Sequence, residues 1–454
     1  MPYLPHTKRD IAQMLDAIGV ASIDDLIRVP PAVALRTRPD VVDALAESEI
    51  MRRFESFAAR NEAAKMTSFL GAGAYRHYCP PAIMSLAMRG EFLTSYTPYQ
   101  AEVSQGYLQA IYEWQTYICL LTGLDIADAS VYDGATALAE GAIMALGATA
   151  RNKILVSRAI HPNYRAVLKT YCDGLDVAID EVPILADGTT DMGALREALS
   201  SGSYAAAAVQ SPNFFGTIES VPDDVRTAFT KSDTIPIAVV AEALSLAALQ
   251  TPASWGAQIC VGEAQSFGVS VAYGGPYVGF IACKSEHLRR IPGRLVGRTV
   301  DRDGKTAYVL TLQAREQHIR RERATSNICT NQAHCALIAT IYLALMGESG
   351  LRDCAAQNVQ RAHELATRVS AIEPCRPQFD APFFNEFAIN VGMPAGEVLA
   401  ALQSRGILGG LELGRFYPEL RDCILMTVTE MTSSEDIDAL CAALKEVVRV
   451  PATL

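Results

Sequence analysis

Between residues 153 and 261, short apolar runs alternate with amphipathic stretches of helical period, and that alternation leaves few folds open. Strands are expected at 153–157, 176–181, 204–210, 236–241 and 257–261. Helices are expected near 163–172, 191–201 (Asp191 as cap) and 222–231. Short apolar strands separated by helices form a mostly parallel sheet covered on both faces. The ligand crevice of such a sheet lies beyond the C-terminal ends of its strands. Here those ends lead into His161, Ser211–Gly216, Glu242 and Glu263–Ser266. His161 sits just past a strand end, where a structural role and a ligand contact are both open. After 257–261 come a glycine-rich turn and a second apolar run near 276–283, so this part of the chain reads as a hairpin. Gly268, Gly274 and Gly275 admit backbone angles closed to other residues. No lysine occurs between Lys231 and Lys284.

Composition narrows the partners. The chain has 454 residues, half of them hydrophobic, with net charge −11 and pI near 5.2. That is enough for two or three domains, and it argues against a nucleic-acid or acidic-membrane surface. No continuous apolar run of about eighteen residues predicts a membrane span. The first residues lack the apolar core of a signal peptide. Eleven scattered cysteines with no Cys-x-x-Cys spacing fit reduced thiols in a cytoplasm. Cys329 and Cys335 flank His334 but have no second ligand pair, so no metal site is expected.

Three regions are expected: a helical arm over 1–65 laid on a neighbouring chain, a large domain over 66–318, and a small α/β domain over 319–454. In the large domain, loop 69–81 combines glycines with aromatic rings and with Arg76 and His77, which could meet an anion. A long amphipathic helix is expected over 98–122, with Thr97 as N-cap and Pro98 at the first position. Tyr96, Tyr99, Gln100, Glu102, Ser104 and Gln105 crowd its start, a plausible site edge. Asp133 or Gly134 is expected to cap a further helix, rich in Ala and Gly. The amides of Gly134 and Thr136 at its first turn suit either a phosphate or an ordinary cap. Residues 289–327 carry nine arginines and end in Thr325-Ser326-Asn327, a segment able to reach into a crevice. The part from 292 to 312 reads as a mobile or partner-contacting loop. The small domain is expected to hold helices at 330–347 and 350–371, strands at 384–391 and 423–429, an exposed loop at 405–422, and helices at 395–404 and 433–449.

Five stretches together resemble the P-protein of the glycine cleavage system, glycine dehydrogenase (decarboxylating), and within it the α subunit (subunit 1) of the two-chain form. They are Thr97–Gly106, Asp133–Ala137, Gln210–Gly216, Gly262–Gly268 with Gly274–Tyr277, and Arg315–Gln332. The resemblance covers essentially the whole chain. It implies a fold-type I transferase architecture of the kind built around pyridoxal 5'-phosphate (PLP). The family's catalytic chain carries a His-Lys pair before a run of glycines and a proline. Counting back from Pro276, Gln265 falls at that lysine and Ala264 at that histidine. Glu242 stands where a partner for the pyridine nitrogen would be. Gly134, Thr136, His161, Glu242 and Gln265 are therefore expected to outline a vestigial cofactor pocket. The resemblance implies that subunit 2 binds PLP. It also implies that this chain supplies no covalent catalyst, and that it shapes the channel for the lipoyl arm of the H-protein, with the T- and L-proteins as functional partners. Tyr96, Tyr99, Gln100, Glu102, Ser104, Gln105, Arg76, His77 and Asn327 are the candidate interface or active-site contacts.

Two rival readings stand beside this one. The first is a self-sufficient homodimeric PLP decarboxylase or transaminase using Lys284 or Lys153. The second is a non-catalytic binding protein unrelated to glycine.

Overall fold

A computed structural model describes residues 5–27, 29–34, 40–41, 43–95 and 97–448. The chain divides into two units, Met1–Glu62 and Ala63–Leu454. The first contains helices α1 (Lys8–Ile18) and α2 (Glu47–Ala59). The Thr7 hydroxyl accepts the Asp10 N–H and caps α1. Neither helix buries a residue, and Met14, Ile18, Phe54 and Phe57 stay exposed.

The second unit is built on a seven-stranded sheet. Its strands are β1 (Ile126–Ala127), β2 (Lys153–Ser157), β3 (Ala178–Val182), β4 (Ala206–Gln210), β5 (Ile235–Val240), β6 (Ile259–Glu263) and β7 (Gly279–Cys283), in the order β1-β7-β6-β5-β4-β2-β3. Strands β2 to β6 are mutually parallel, whereas β7 runs antiparallel to β6. Every residue of β4, β5, β6 and β7 is buried, because helices cover both faces. Those helices include α3 (Gln105–Thr122), α4 (Gly134–Thr149), α5 (Pro162–Asp173), α6 (Met192–Leu199) and α7 (Asp223–Ser232). In α4 a run of alanines and glycines buries eleven positions, so its backbone lies close on the sheet.

The helix expected over 98–122 starts later. A short 3-10 turn, Ala101–Val103, precedes α3, and Tyr99 N–H bonds back to Thr97 O, which breaks the first expected turn. Segment 292–312 is not a loop. It is a β-hairpin of β8 (Leu295–Val300) and β9 (Thr306–Thr311), closed by an Asp301 carboxylate that accepts Asp303 and Lys305 N–H. The Asp303-Gly304 pair was the available turn signal.

The helices expected at 330–347 and 350–371 form one element, α8 (Ala333–Ser370), interrupted at Gly347 (φ 59°, ψ −175°). By length and composition α8 would suffice to cross a membrane. Its buried residues, among them Leu337, Ala339, Tyr342 and Leu343, instead join the core that contains Trp114 and Phe267. The C-terminal sheet holds β10 (Arg376–Pro377), β11 (Glu386–Asn390), β12 (Leu411–Glu412) and β13 (Cys423–Thr427), in the order β10-β11-β13-β12. Helices α9 (Ala395–Gln403) and α10 (Ser434–Val447) pack on it. The expected 405–422 loop contains the short strands Ile407–Leu408 and β12.

The two sheets meet at Gly216. Phe384 N–H bonds to Gly216 O, and Ile218 N–H to Pro382 O. Gly216 has φ +83°, and a Cβ there would lie 1.9 Å from the Glu386 carbonyl oxygen. Left-handed backbone and steric overlap act together, so Gly216→Ala should cost about 3 kcal/mol or more. The drop should be read as a lower urea midpoint, and an unchanged midpoint would contradict this junction.

Candidate active-site crevice

The crevice beyond β2, β5 and β6 is filled by the chain's own loop 69–81. Its anchor is Gln265, which is 2 % exposed. The Gln265 side-chain oxygen accepts Tyr75 N–H (2.8 Å), and its nitrogen donates to Tyr75 O (2.9 Å) and Val269 O (2.6 Å). Each polar atom of the amide is used, and the pairing with backbone fixes which end is oxygen. Where the family resemblance puts a tethering amine, this chain has a clamp for the loop.

Neighbouring groups hold the same loop. Glu386 accepts Ala72 N–H (2.5 Å), the Tyr75 hydroxyl (2.8 Å) and the Thr427 hydroxyl (2.6 Å). His161 Nε2 lies 2.8 Å from Ala72 O, and Nδ1 accepts Asn163 N–H at 3.1 Å. Since a carbonyl only accepts, Nε2 carries the proton. The ring packs on Tyr164 (centroids 5.0 Å apart) and edge-on to Phe214. Gly73 (φ +94°) makes this approach possible, because a Cβ there would lie 2.9 Å from His161 Nε2.

At the start of α4, Asp133 accepts Thr136 N–H (2.7 Å) and Glu263 accepts Gly134 N–H (3.0 Å). Glu263 also accepts Val278 and Gln265 N–H, at 2.9 and 3.1 Å. The amides that would hold a phosphate thus already face two carboxylates of the chain itself. With no lysine at 265, those amides occupied and the Gln265 amide spent on Tyr75 and Val269, the residues present do not fit PLP.

Glu242 does not await a pyridine nitrogen. Its carboxylate caps Leu244 N–H (2.9 Å) and pairs with His77 Nε2 (3.1 Å). His77 Nδ1 meets Glu430 at 2.8 Å, and Glu430 also accepts Tyr78 N–H (2.6 Å). Burial alone would push His77 down, but the two carboxylates outweigh it and raise it to about 10. Glu430 is correspondingly held near 2 despite its burial. Cys354 on α8 closes the cluster, its thiol pushed up to about 12 by burial and by the Glu430 charge.

The other candidates lie elsewhere. Tyr96 falls outside the described residues. Tyr99, Gln100 and Glu102 are exposed, and Ser104 is buried. The Tyr99 hydroxyl accepts Arg294 Nη2 (3.0 Å), and Gln105 bonds both backbone groups of Tyr308 on β9. Arg76 is exposed and lines a separate polar cleft with Lys65, Thr67 and Asp436. Asn327 is exposed. Lys153 begins β2 and pairs with Asp180 (3.5 Å). Lys284 follows β7, and its N–H bonds Gln258 O at the start of β6. Both rival lysines therefore sit at the sheet edge opposite the crevice. Sequence reasoning missed Glu386, Glu430 and Cys354. They come from the C-terminal part, with Glu430 353 residues from His77, and no local pattern marks them.

Buried carboxyls give this fold a pH signature. Burial pushes Glu140, Glu263 and Glu386 up to about 7 and Asp128 to about 8. A folded-state value above the unfolded one favours folding at low pH, and this advantage is lost as pH rises through the folded value. His77 adds a further loss toward pH 10. The melting temperature should therefore fall by several degrees between pH 5.5 and 9 at constant ionic strength, and Glu386→Gln should flatten the profile. A melting temperature rising over that range would contradict the assignment.

Comparison with known proteins now bears on identity. The family profile "Glycine cleavage system P-protein" matches residues 1–444. A Moorella thermoacetica protein named probable glycine dehydrogenase (decarboxylating) subunit 1 is 50% identical over 446 residues, 98% of this chain and 99% of its own length. A Desulfitobacterium hafniense protein of the same name is 47% identical, with 98% and 100% covered. The crystal structure of a glycine decarboxylase (P-protein) of the glycine cleavage system, in inhibitor-bound form, superposes with TM-score 0.90 at 42% identity, over 98% of this chain and 100% of that one. A Burkholderia pseudomallei sphingosine-1-phosphate lyase shares the fold alone, with TM-score 0.66 at 14% identity, over 91% and 93%. The architecture is that of fold-type I PLP-dependent transferases, and the chain belongs to the glycine cleavage system P-protein family.

Proposed function

We propose that this chain is the subunit without the PLP-tethering lysine in a two-chain glycine dehydrogenase (decarboxylating) of the glycine cleavage system. Subunit 2 would bind PLP on its own lysine. The pair would decarboxylate glycine and pass the aminomethyl group to the lipoyl group of the H-protein, opening its disulfide, with the T- and L-proteins acting downstream. PLP supplies the electron sink for loss of carbon dioxide. The observation that carries this reading is Gln265: a lysine-free crevice, clamped shut by a fully bonded amide, in a chain that matches its relatives end to end.

This chain's part would be structural. Gln265, Glu386 and His161 hold loop 69–81 rigid, and the His77 ion cluster ties it to the C-terminal sheet. A rigid loop is a suitable wall for a channel completed by the other subunit. We further infer that arm 1–65 lies over a neighbouring chain, which would cover its exposed apolar faces, and that the complex is cytoplasmic. The homodimeric alternative is disfavoured by the placement of Lys153 and Lys284.

The chain alone should show no glycine–bicarbonate exchange and no borohydride-trapped lysine after incubation with PLP. Mixed with a lysine-bearing subunit 2, it should restore exchange. A trapped lysine in the isolated chain would establish the homodimeric reading instead, and no exchange on mixing would favour a glycine-unrelated binding protein. Gln265→Lys should still fail to retain PLP after dialysis, because Glu263 and Asp133 continue to occupy the α4 amides. Stable visible absorbance from that variant would show that the missing amine was the sole obstacle.

A further inference from the structure

The arginines of this acidic chain are distributed unevenly. Residues 284–323 hold eleven basic and five acidic residues, a net of +6 in a chain of −11, so the remainder carries −17. Elsewhere in the second unit, ten of the fourteen described arginines have a carboxylate within ion-pair distance: Arg89, Arg151, Arg158, Arg165, Arg196, Arg226, Arg352, Arg368, Arg405 and Arg421. Within 284–323 only Arg302 and Arg323 do, each with an adjacent residue at 3.6 and 3.8 Å. Arg289, Arg298, Arg320 and Arg321 are exposed with no ion-pair partner among the described residues.

Three arginines of the segment share a cleft. Arg289, Arg290 and Arg315 line it with Gln317, and the Arg315 guanidinium bonds Ile291 O. Arg315 Nε and Nη2 and Arg294 Nε are buried and have no hydrogen-bond partner in the chain. Unpaired guanidinium groups at a surface repel one another unless an external anion compensates them.

We propose that this arginine face, 289–323, docks the lipoyl-bearing carrier protein, and that the carrier presents an acidic surface to it. The inference rests on the proposed function. Its chemistry also separates it from the subunit contact. A permanent subunit interface is apolar and depleted in charge. The exposed Met84, Leu86, Met88, Leu93 and Val103 suit that role. The arginine face is interrupted by fewer apolar side chains, chiefly Val300, Leu312 and Ile319. A carrier must arrive and leave in every turnover, and complementary charge speeds that encounter without locking it.

The test uses the assembled two-chain complex and the triple variant R289E/R320E/R321E. The variant should raise KM for the carrier about tenfold or more at low salt. It should leave kcat, and turnover with free lipoamide in place of the carrier, unchanged. Added sodium chloride should raise the wild-type KM and narrow the gap, and the lysine triple variant should behave as wild type. An unchanged carrier KM would overturn the proposal. So would loss of subunit 2 from the variant on gel filtration, since that would place the arginines in the subunit contact. If the wild-type complex fails with both carrier and lipoamide, the underlying functional reading falls first and this one falls with it.

Discussion

One side-chain amide organises the crevice. Gln265 presents an acceptor to Tyr75 N–H and donors to Tyr75 and Val269 carbonyls, all out of water. Each bond adds little net stability, but removing one partner strands a buried backbone group at a cost of about 1–3 kcal/mol. Loop 69–81 is therefore tied at its middle to the strand end that the family resemblance assigns to catalysis. The position of Ala72 against His161 and Glu386, and of His77 between two carboxylates, follows from that tie.

The electrostatics match the same arrangement. Glu263 and Asp133 neutralise the positive end of α4, which would otherwise attract an anion. The Glu242–His77–Glu430 cluster places one cation between two carboxylates and draws on both sheets. Breaking either pair would leave a buried charge uncompensated. The polar groups of the crevice are paired internally.

Much of the fold could be read in the sequence. The strands expected between 153 and 261 came out within two or three residues, because a parallel sheet covered on both faces leaves unbroken apolar runs. Asp133 and Asp191 cap their helices as their local pattern indicates. The errors share a cause. Thr97-Pro98 is a good local helix start, yet Tyr99 turns back on Thr97 and Gln105 is claimed by the β9 backbone. Hairpin β8–β9 was hidden beneath charged residues whose sign said more than their alternation.

Local order in the chain was enough to establish an alternating α/β sheet, a crevice at its C-terminal edge, and the lack of an amine at position 265. These follow from periodicity and residue identity, which need no knowledge of distant neighbours. What replaces the amine was decided in three dimensions. Glu386, Glu430 and Cys354 reach loop 69–81 from the far end of the chain, and Glu263 turns onto the amides of α4. Hydrogen bonds and ion pairs depend on separation in space rather than along the backbone, so only the packed structure could show the crevice closed.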